Sequence, residues 1–526
     1  MRRQTTFHRL TISLILVFLR FLPCMAPPAK KARIAPQGNI SSFFGPKKTV
    51  EASAPPRPEL KPEPPKNPKP SGPGEASTPT KEESQKASSP CAGVPTPEKS
   101  GPPVPRRVAT ACSGRFQSGF TRDKGSNWQQ YNNLYRLRLK QLAGACREEA
   151  KQQWHSIPER GFLQDLSEFR GGNDGEIVVV GILFKELHNR PNVIDEYKGS
   201  KALLTSIKDE ASVLYSEKDT LWLEDSVMRI QLEVAPELLA VFATGFVVAV
   251  RGVATQAGTL RTIGVQMPRM PVVPVISPSQ TKGSYIALVS GIGFGDDRNV
   301  EARRKAIDFL CKATGPAVEQ VVLCGGCFAP SCQLDGDSKA ITAALKQMDS
   351  ELLPLVEAKP VQVMPSYGEP TNASMPQLPF HRSLFGQLSS SAGFRPMGNP
   401  CSLNFDGLEV LGHSGEPIKD LLRSAQLEPM EALKKCLEAR HLAPTAPDTL
   451  LTQPFEDSDP FVLESVPHIL FSGGHERAVH HWHPCVRGGG TQCICVPAFH
   501  LHPALVLINL RDPRDVRIEE FSAMQM

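Results

Sequence analysis

Proline divides this chain before any element is assigned. Residues 26–107 hold 20 of its 49 prolines and only two aromatic side chains, Phe43 and Phe44. Proline fixes φ and removes a backbone donor, which excludes long helices and central strands. With so little apolar surface to bury, the segment cannot offset the entropy of ordering itself. A disordered N-terminal tail is therefore expected over 26–107, and any packed core must come from elsewhere. The remainder of the 526-residue chain is long enough for two or three domains.

Charge divides at the same boundary. The chain carries a formal +5, of which residues 1–25 contribute +4 and residues 26–107 contribute +7, leaving −6 on everything from Val108 onward. An acidic body argues against a broad, non-specific grip on nucleic acid, which needs clustered Lys and Arg. The basic character belongs to the tail.

Residues 1–25 have a basic start and an apolar run from Leu10 to Leu22 broken by Arg20, too short to cross a bilayer. They read either as a targeting peptide or as a gene-model extension ahead of a second start at Met25. Thirteen cysteines, an odd number at irregular spacing, fit the reduced thiols of an intracellular protein better than a disulfide framework. No membrane partner is expected.

Beyond the tail the periodicity changes three times. WQQYNNLYRLRLKQL, from Trp128, places Tyr131, Leu134, Tyr135, Leu137, Leu139 and Leu142 at mixed three and four spacings. This predicts an amphipathic helix that continues past Arg147, within a helical segment over 118–165. Over 170–275, EIVVVGILFKEL, TLWLEDSVMRIQLEV, FATGFVVAVRGVA and TLRTIGVQMP read as short strands punctuated by glycine, for which an OB-fold β-barrel is the natural closure. Over 283–518 the rhythm becomes strand, helix, strand, from YIALVSGIGFG to the closing CICVPAF and ALVLINL. The expected fold class is a multidomain α+β and α/β chain. Glycine-rich turns stand at several strand C-termini, where α/β folds place their sites.

The motifs in those turns, and their order, resemble the small (B) subunits of replicative DNA polymerases, most closely those of DNA polymerase delta. The residues that carry the resemblance are LEDSVMRI at Leu223–Ile230, LVSGIGFG at Leu288–Gly295, VMPSYGEPTN at Val363–Asn372, PQLPFH at Pro376–His381, Asn399-Pro400, LGHSG at Leu411–Gly415 and RHLAPTAPDTL at Arg440–Leu450. APTAPDTL is long and specific; LGHSG alone would be weak. The third turn departs from the GEFDPTN-like sequence of delta subunits. The resemblance implies an inactivated calcineurin-like phosphoesterase α/β sandwich over 283–518 joined to the OB domain. It further implies a non-catalytic scaffold in a heteromeric nuclear complex, between a polymerase delta catalytic subunit and an accessory subunit, with DNA touched at most indirectly.

The residues themselves also speak against hydrolysis. A binuclear phosphoesterase holds two cations about 3.5–4 Å apart with a dense set of Asp, Asn and His ligands. Here the first turn offers Ser290 and Gly291, the second Gly325 and Gly326, and the third Gly368 and Glu369, with His413 and His475 surviving further on. No catalytic residue, metal or cofactor is expected. The alternative is an active metallophosphoesterase with unusual ligands. A lone OB-fold single-strand binder is disfavoured by the acidic body and an aromatic content of 6%.

Two further constellations stand out. Gln37, Ile40, Phe43 and Phe44 match the pattern by which replication proteins bind the sliding clamp, PCNA: one helical turn puts the three apolar residues on one face. Around it, Lys30, Lys31 and Arg33 fit a nuclear import signal, and Thr78, Ser89 and Thr96 precede prolines as candidate kinase sites. Cys324, Cys327 and Cys332, and His480, His481, His483 and Cys485 with Cys493 and Cys495, invite a zinc reading. Neither group has two complete ligand pairs at ordinary spacing, so ordinary packing is expected of both, the second spanning an irregular loop and the start of a buried strand.

Overall fold

The computed structural model describes residues 112–113, 132–172, 175–190, 213–273, 284–312, 317–332, 338–485 and 488–521. The clamp-type motif, the import-type basic residues and the three candidate kinase sites all lie outside them.

Strand β1 (Cys112–Ser113) is followed by helix α1 (Asn132–Gln153). Every fourth residue of this helix from Leu134 is buried: Leu134, Arg138, Leu142, Cys146 and Ala150. A spacing of four keeps one stripe against the core, and each fully covered leucine contributes roughly 1.5–3 kcal/mol. Arg138 is the only charged residue in that stripe.

Strands β2 (Glu176–Glu186), β3 (Thr220–Glu224), β4 (Arg229–Glu233), β5 (Val247–Ala254) and β6 (Leu260–Gln266) close a barrel in the order β2-β3-β4-β6-β5, with helix α2 (Pro236–Val241) between β4 and β5. The alternation Leu221/Leu223 and Ile230/Leu232 sends apolar side chains inward. The tip between β3 and β4 is held by Asp225, whose Oδ1 accepts the backbone N–H groups of Val227 and Met228 at 2.7 and 2.9 Å. Its Oδ2 accepts that of Leu166 at 2.7 Å.

The rest of the chain supplies β7 (Ser284–Val289), α3 (Val300–Cys311), β8 (Ala317–Cys324), α4 (Ser338–Ala358), β9 (Val361–Met364), β10 (Phe394–Pro396), β11 (Cys401–Phe405), β12 (Leu408–His413), α5 (Glu416–Ser424), α6 (Pro429–Glu438), β13 (Ile469–His475), β14 (Val479–Pro484), β15 (Gly490–Pro497), β16 (Ala504–Asn509) and β17 (Val516–Glu520). They form two six-stranded sheets, ordered β1-β11-β12-β13-β15-β14 and β10-β9-β8-β7-β16-β17. β7 is buried along its whole length, and its period of two decides the layers. Ile286 and Leu288 face the other sheet, meeting Val410, Ile469 and Phe471. Tyr285, Ala287 and Val289 face α3 and α4, through Ile307, Leu310, Met348 and Leu352. The opposite sheet packs its outer face on α5 and α6. The result is a helix–sheet–sheet–helix sandwich.

The second cysteine and histidine group corrects an expectation. His480, His481 and His483 lie on a regular strand, β14, and not in an irregular loop: His481 stands opposite Cys493 and His483 opposite Thr491 across an antiparallel pair. An aromatic and β-capable run beside the edge of β15 pairs readily where a strand partner is available. Cys493 and Cys495 are buried, and burial pushes both thiols up to about 12.

Barrel and sandwich share one apolar core, and Arg138 pins them. Its Nε donates to Asp459 Oδ2 at 2.8 Å, Nη1 to the carbonyls of Gly245 (3.0 Å) and Pro444 (2.7 Å), and Nη2 to that of Ala446 (2.6 Å). His441 Nε2 meets the same Asp459 oxygen at 2.9 Å. Burial alone would raise the Asp459 carboxyl, but His441 and Arg138 beside it more than reverse this and hold it well below the usual carboxylate range. Burial, then the Arg138 charge, lowers His441 to about 4, so the imidazole is neutral at pH 7. The APTAPDTL run is thus where helix, barrel and sandwich meet.

Candidate functional site

Six strand ends converge at one edge of the sandwich. Ser290 and Gly291 follow β7, Gly325 and Gly326 follow β8, and Ser366 to Glu369 follow β9. Ser414 to Glu416 follow β12, Gly474 and His475 end β13, and Ala498 to His500 follow β15.

These turns fasten to one another through backbone. Gly291 N donates to Gly325 O at 2.9 Å, Gly293 N to Gly326 O at 3.2 Å, Phe499 N to Ser290 O at 2.7 Å and Ala498 N to His475 O at 2.6 Å. Gly325 and Gly326 have left-handed φ values of 82° and 66°. A Cβ at Gly326 would lie 2.7 Å from Gly291 Cα, and one at Gly325 would lie 2.3 Å from Ser414 Cβ. Backbone at Gly326 and serine side chains at Gly325 therefore occupy the space a Cβ would need, which is why glycine stands in these turns.

The polar groups present are mostly committed within the chain. Ser290 Oγ donates to Cys324 O at 3.1 Å and accepts from Gly474 N at 2.8 Å. Glu369 is buried; Oε1 accepts from Phe328 N at 2.8 Å and Oε2 from Ser366 N at 2.7 Å. Burial pushes its carboxyl up to about 7 against the opposing pull of those two amides. Gly368, at φ 81°, turns the chain so that this can happen. His413 Nδ1 accepts from Gly415 N at 3.2 Å, while His413 Nε2 is buried without a partner. His475 Nε2 meets Ser472 Oγ at 2.7 Å. Burial lowers both imidazoles to about 3, keeping them neutral.

The structure brings all eight turn residues singled out in the sequence to this edge, but it does not assemble them as a ligand set. One carboxylate held by two amides and two histidines, one of them bonded to a serine, do not fit a two-metal centre, which needs bridging carboxylates facing open space. Among the described residues no group of three or more His, Cys, Asp or Glu is placed to hold a metal ion. Cys324, Cys327 and Cys332 are buried free thiols.

What opens at this edge is a cavity of about 580 Å³. Its lining includes the buried Ser290 and Ser414, the half-buried Glu416, and the exposed Lys419, Tyr367, Leu451 and Leu501. Sequence reasoning missed Glu416, Lys419 and Asp420, because LGHSG marks the turn but not the helix that follows. It missed Arg138 too, although its place in the stripe Leu134, Leu142, Cys146, Ala150 is a usable signal. The buried Lys185 was also missed: Nζ donates to the carbonyls of Leu239 (2.7 Å), Phe242 (3.1 Å) and Ser424 (2.7 Å), tying the barrel to the end of α5.

Comparison with known proteins places this architecture. A family model for the B subunit of DNA polymerases alpha and epsilon matches residues 286–480, and one described as DNA polymerase delta subunit OB-fold domain matches residues 130–264, which contain α1 and most of the barrel. The chain is 30% identical over 402 residues to the DNA polymerase delta small subunit of Oryza sativa subsp. japonica, covering 73% of this chain and 91% of that protein. It is 28% identical over 430 residues to DNA polymerase delta subunit 2 of Drosophila melanogaster, covering 77% and 96%. It is 26% identical over 447 residues to the DNA polymerase delta small subunit of Saccharomyces cerevisiae, covering 74% and 88%. With likeness of this extent running through both the barrel and the sandwich, this chain belongs to the DNA polymerase delta small-subunit family.

Proposed function

We propose that the chain is a non-catalytic scaffold of a DNA polymerase delta assembly, acting in nuclear DNA replication and repair synthesis. The sandwich is an inactivated calcineurin-like phosphoesterase fold, and the barrel is its OB partner. Together they link the catalytic subunit to an accessory subunit, and Gln37, Ile40, Phe43 and Phe44 contact the sliding clamp. The observation that carries the reading is the strand-end edge, where serines, glycines and internally bonded histidines stand in the places a hydrolase fills with metal ligands. Among the described residues no helix is long and apolar enough to cross a membrane.

Two measurements test this. Full-length chain purified from its own cells should bring down a polymerase catalytic chain in near-equal amount; its absence from the mass spectrum defeats the scaffold role. Manganese-dependent hydrolysis of a chromogenic phosphodiester should stay at background, unaltered in His413→Ala and His475→Ala. Turnover lost in those variants would instead establish an enzyme.

A further inference from the structure

The cavity at the strand-end edge combines exposed apolar side chains with one exposed charged residue, Lys419. Tyr367, Leu451 and Leu501 line it while remaining 38%, 53% and 63% exposed, which is unusual for such large side chains gathered at one concavity. Inside, the two carboxylates are taken up by the chain itself. Glu416 Oε1 accepts from Tyr367 N at 2.9 Å, and Oε2 accepts from Ser414 Oγ. Asp420 Oδ2 accepts from Thr449 Oγ1 at 2.5 Å, and Oδ1 meets Arg423 at 3.5 Å. Lys419, between them in sequence, is exposed, lies against the Gly474 turn, and has no ion-pair partner among the described residues. Glu416 and Asp420 offset Lys419 and Arg423 in formal charge, but Lys419 is the exposed one, so its ammonium is the charge an incoming group meets first, beside apolar side chains that shed water from the contact.

We infer that this cavity docks a short segment of a protein partner, one that carries apolar side chains for the Leu451 and Leu501 rim and a carboxylate for Lys419. The inference rests on the scaffold reading and specifies one of its contacts. It makes the strand-end edge a peptide-binding edge: the turns are fastened to one another through backbone, and the concavity beside them is left for a side-chain anchor.

The test uses the full chain assembled with its polymerase partners, with a photo-crosslinking amino acid at Leu451 or Leu501 in separate samples. The expected result is a crosslink to a segment of another polymerase subunit with acidic and apolar residues. In parallel, Lys419→Glu should weaken retention of that subunit at least tenfold, while Lys419→Arg stays within twofold and both variants melt with the parent. Crosslinks confined to this chain, to a second copy of it or to DNA, in complexes that still assemble, overturn the docking inference alone. So does full retention by Lys419→Glu. If the unmodified chain recovers no polymerase subunit, the scaffold reading itself falls and takes this inference with it.

Discussion

Arg138 stands where an apolar residue is expected, and its cost and value are both set by burial. Removing it leaves Asp459 as an uncompensated buried charge, a loss of about 3–5 kcal/mol. Arg138→Met should lower the urea midpoint accordingly, and Arg138→Met with Asp459→Leu should recover much of the loss. A single variant with unchanged stability would contradict the ion-pair account. Protonation works at the same scale. His413, His441 and His475 sit at about 3, 4 and 3 in the folded chain against 6.5 when unconstrained. The unfolded chain therefore binds protons that the folded chain refuses, and stability falls as pH drops from 6.5 towards 4. Glu369, raised to about 7 from 4.5, works in reverse: its stabilising contribution is present below pH 4.5 and lost as pH rises through 7. Three groups against one predict weaker resistance to urea at pH 5 than at pH 7. His413→Asn, whose side-chain oxygen can accept the Gly415 N–H, should flatten that fall.

At the scale of elements, glycine separates turns that join from turns that merely connect. Gly245 precedes β5 at φ 95°, and a Cβ there would lie 1.8 Å from Pro444 O and 2.5 Å from Arg138 Nη1. Gly258, in the β5–β6 turn at φ 81°, would meet nothing within 4 Å. Gly245→Ala must both strain its backbone and push barrel from sandwich, costing upwards of about 2 kcal/mol, while Gly258→Ala carries only the conformational term of about 1 kcal/mol. Comparing their thermal melts checks this; equal losses would mean that the barrel–sandwich contact is not tight at Gly245. The strands and helices themselves were largely legible. The helix expected to run past Arg147 is found as α1, and the strand expected at YIALV is found as β7, because each pattern is local. The edge strand β14 was not, since its histidines and tryptophan become a strand only through pairing with β15.

The whole molecule joins a proline-rich, cationic N-terminal region to an acidic body. If the clamp-type motif provides a contact, Phe43→Ala with Phe44→Ala in the full chain should reduce clamp pull-down by more than tenfold. The melting of the body should not change, since a segment so poor in apolar side chains has little to add to a core. Undiminished pull-down would remove the tail from the clamp contact. Raising salt should weaken the parent contact as well, because the flanking lysines act through screened charge.

The sequence by itself determined where a core could and could not form, which segments alternate and which turn every 3.6 residues, and which ligand types are missing at the strand ends. These are properties of composition and local spacing. Only the tertiary structure decided that Arg138 is a joint: its acceptors stand 107 to 321 positions away in sequence, and no local pattern encodes such a meeting. Only the structure showed that backbone contacts close the turns, that Glu369 turns inward onto two amides, and that Lys419 and the Leu451–Leu501 rim share one cavity. Each depends on which strand ends the sheet order brings side by side, and sheet order is settled by packing across the whole sandwich.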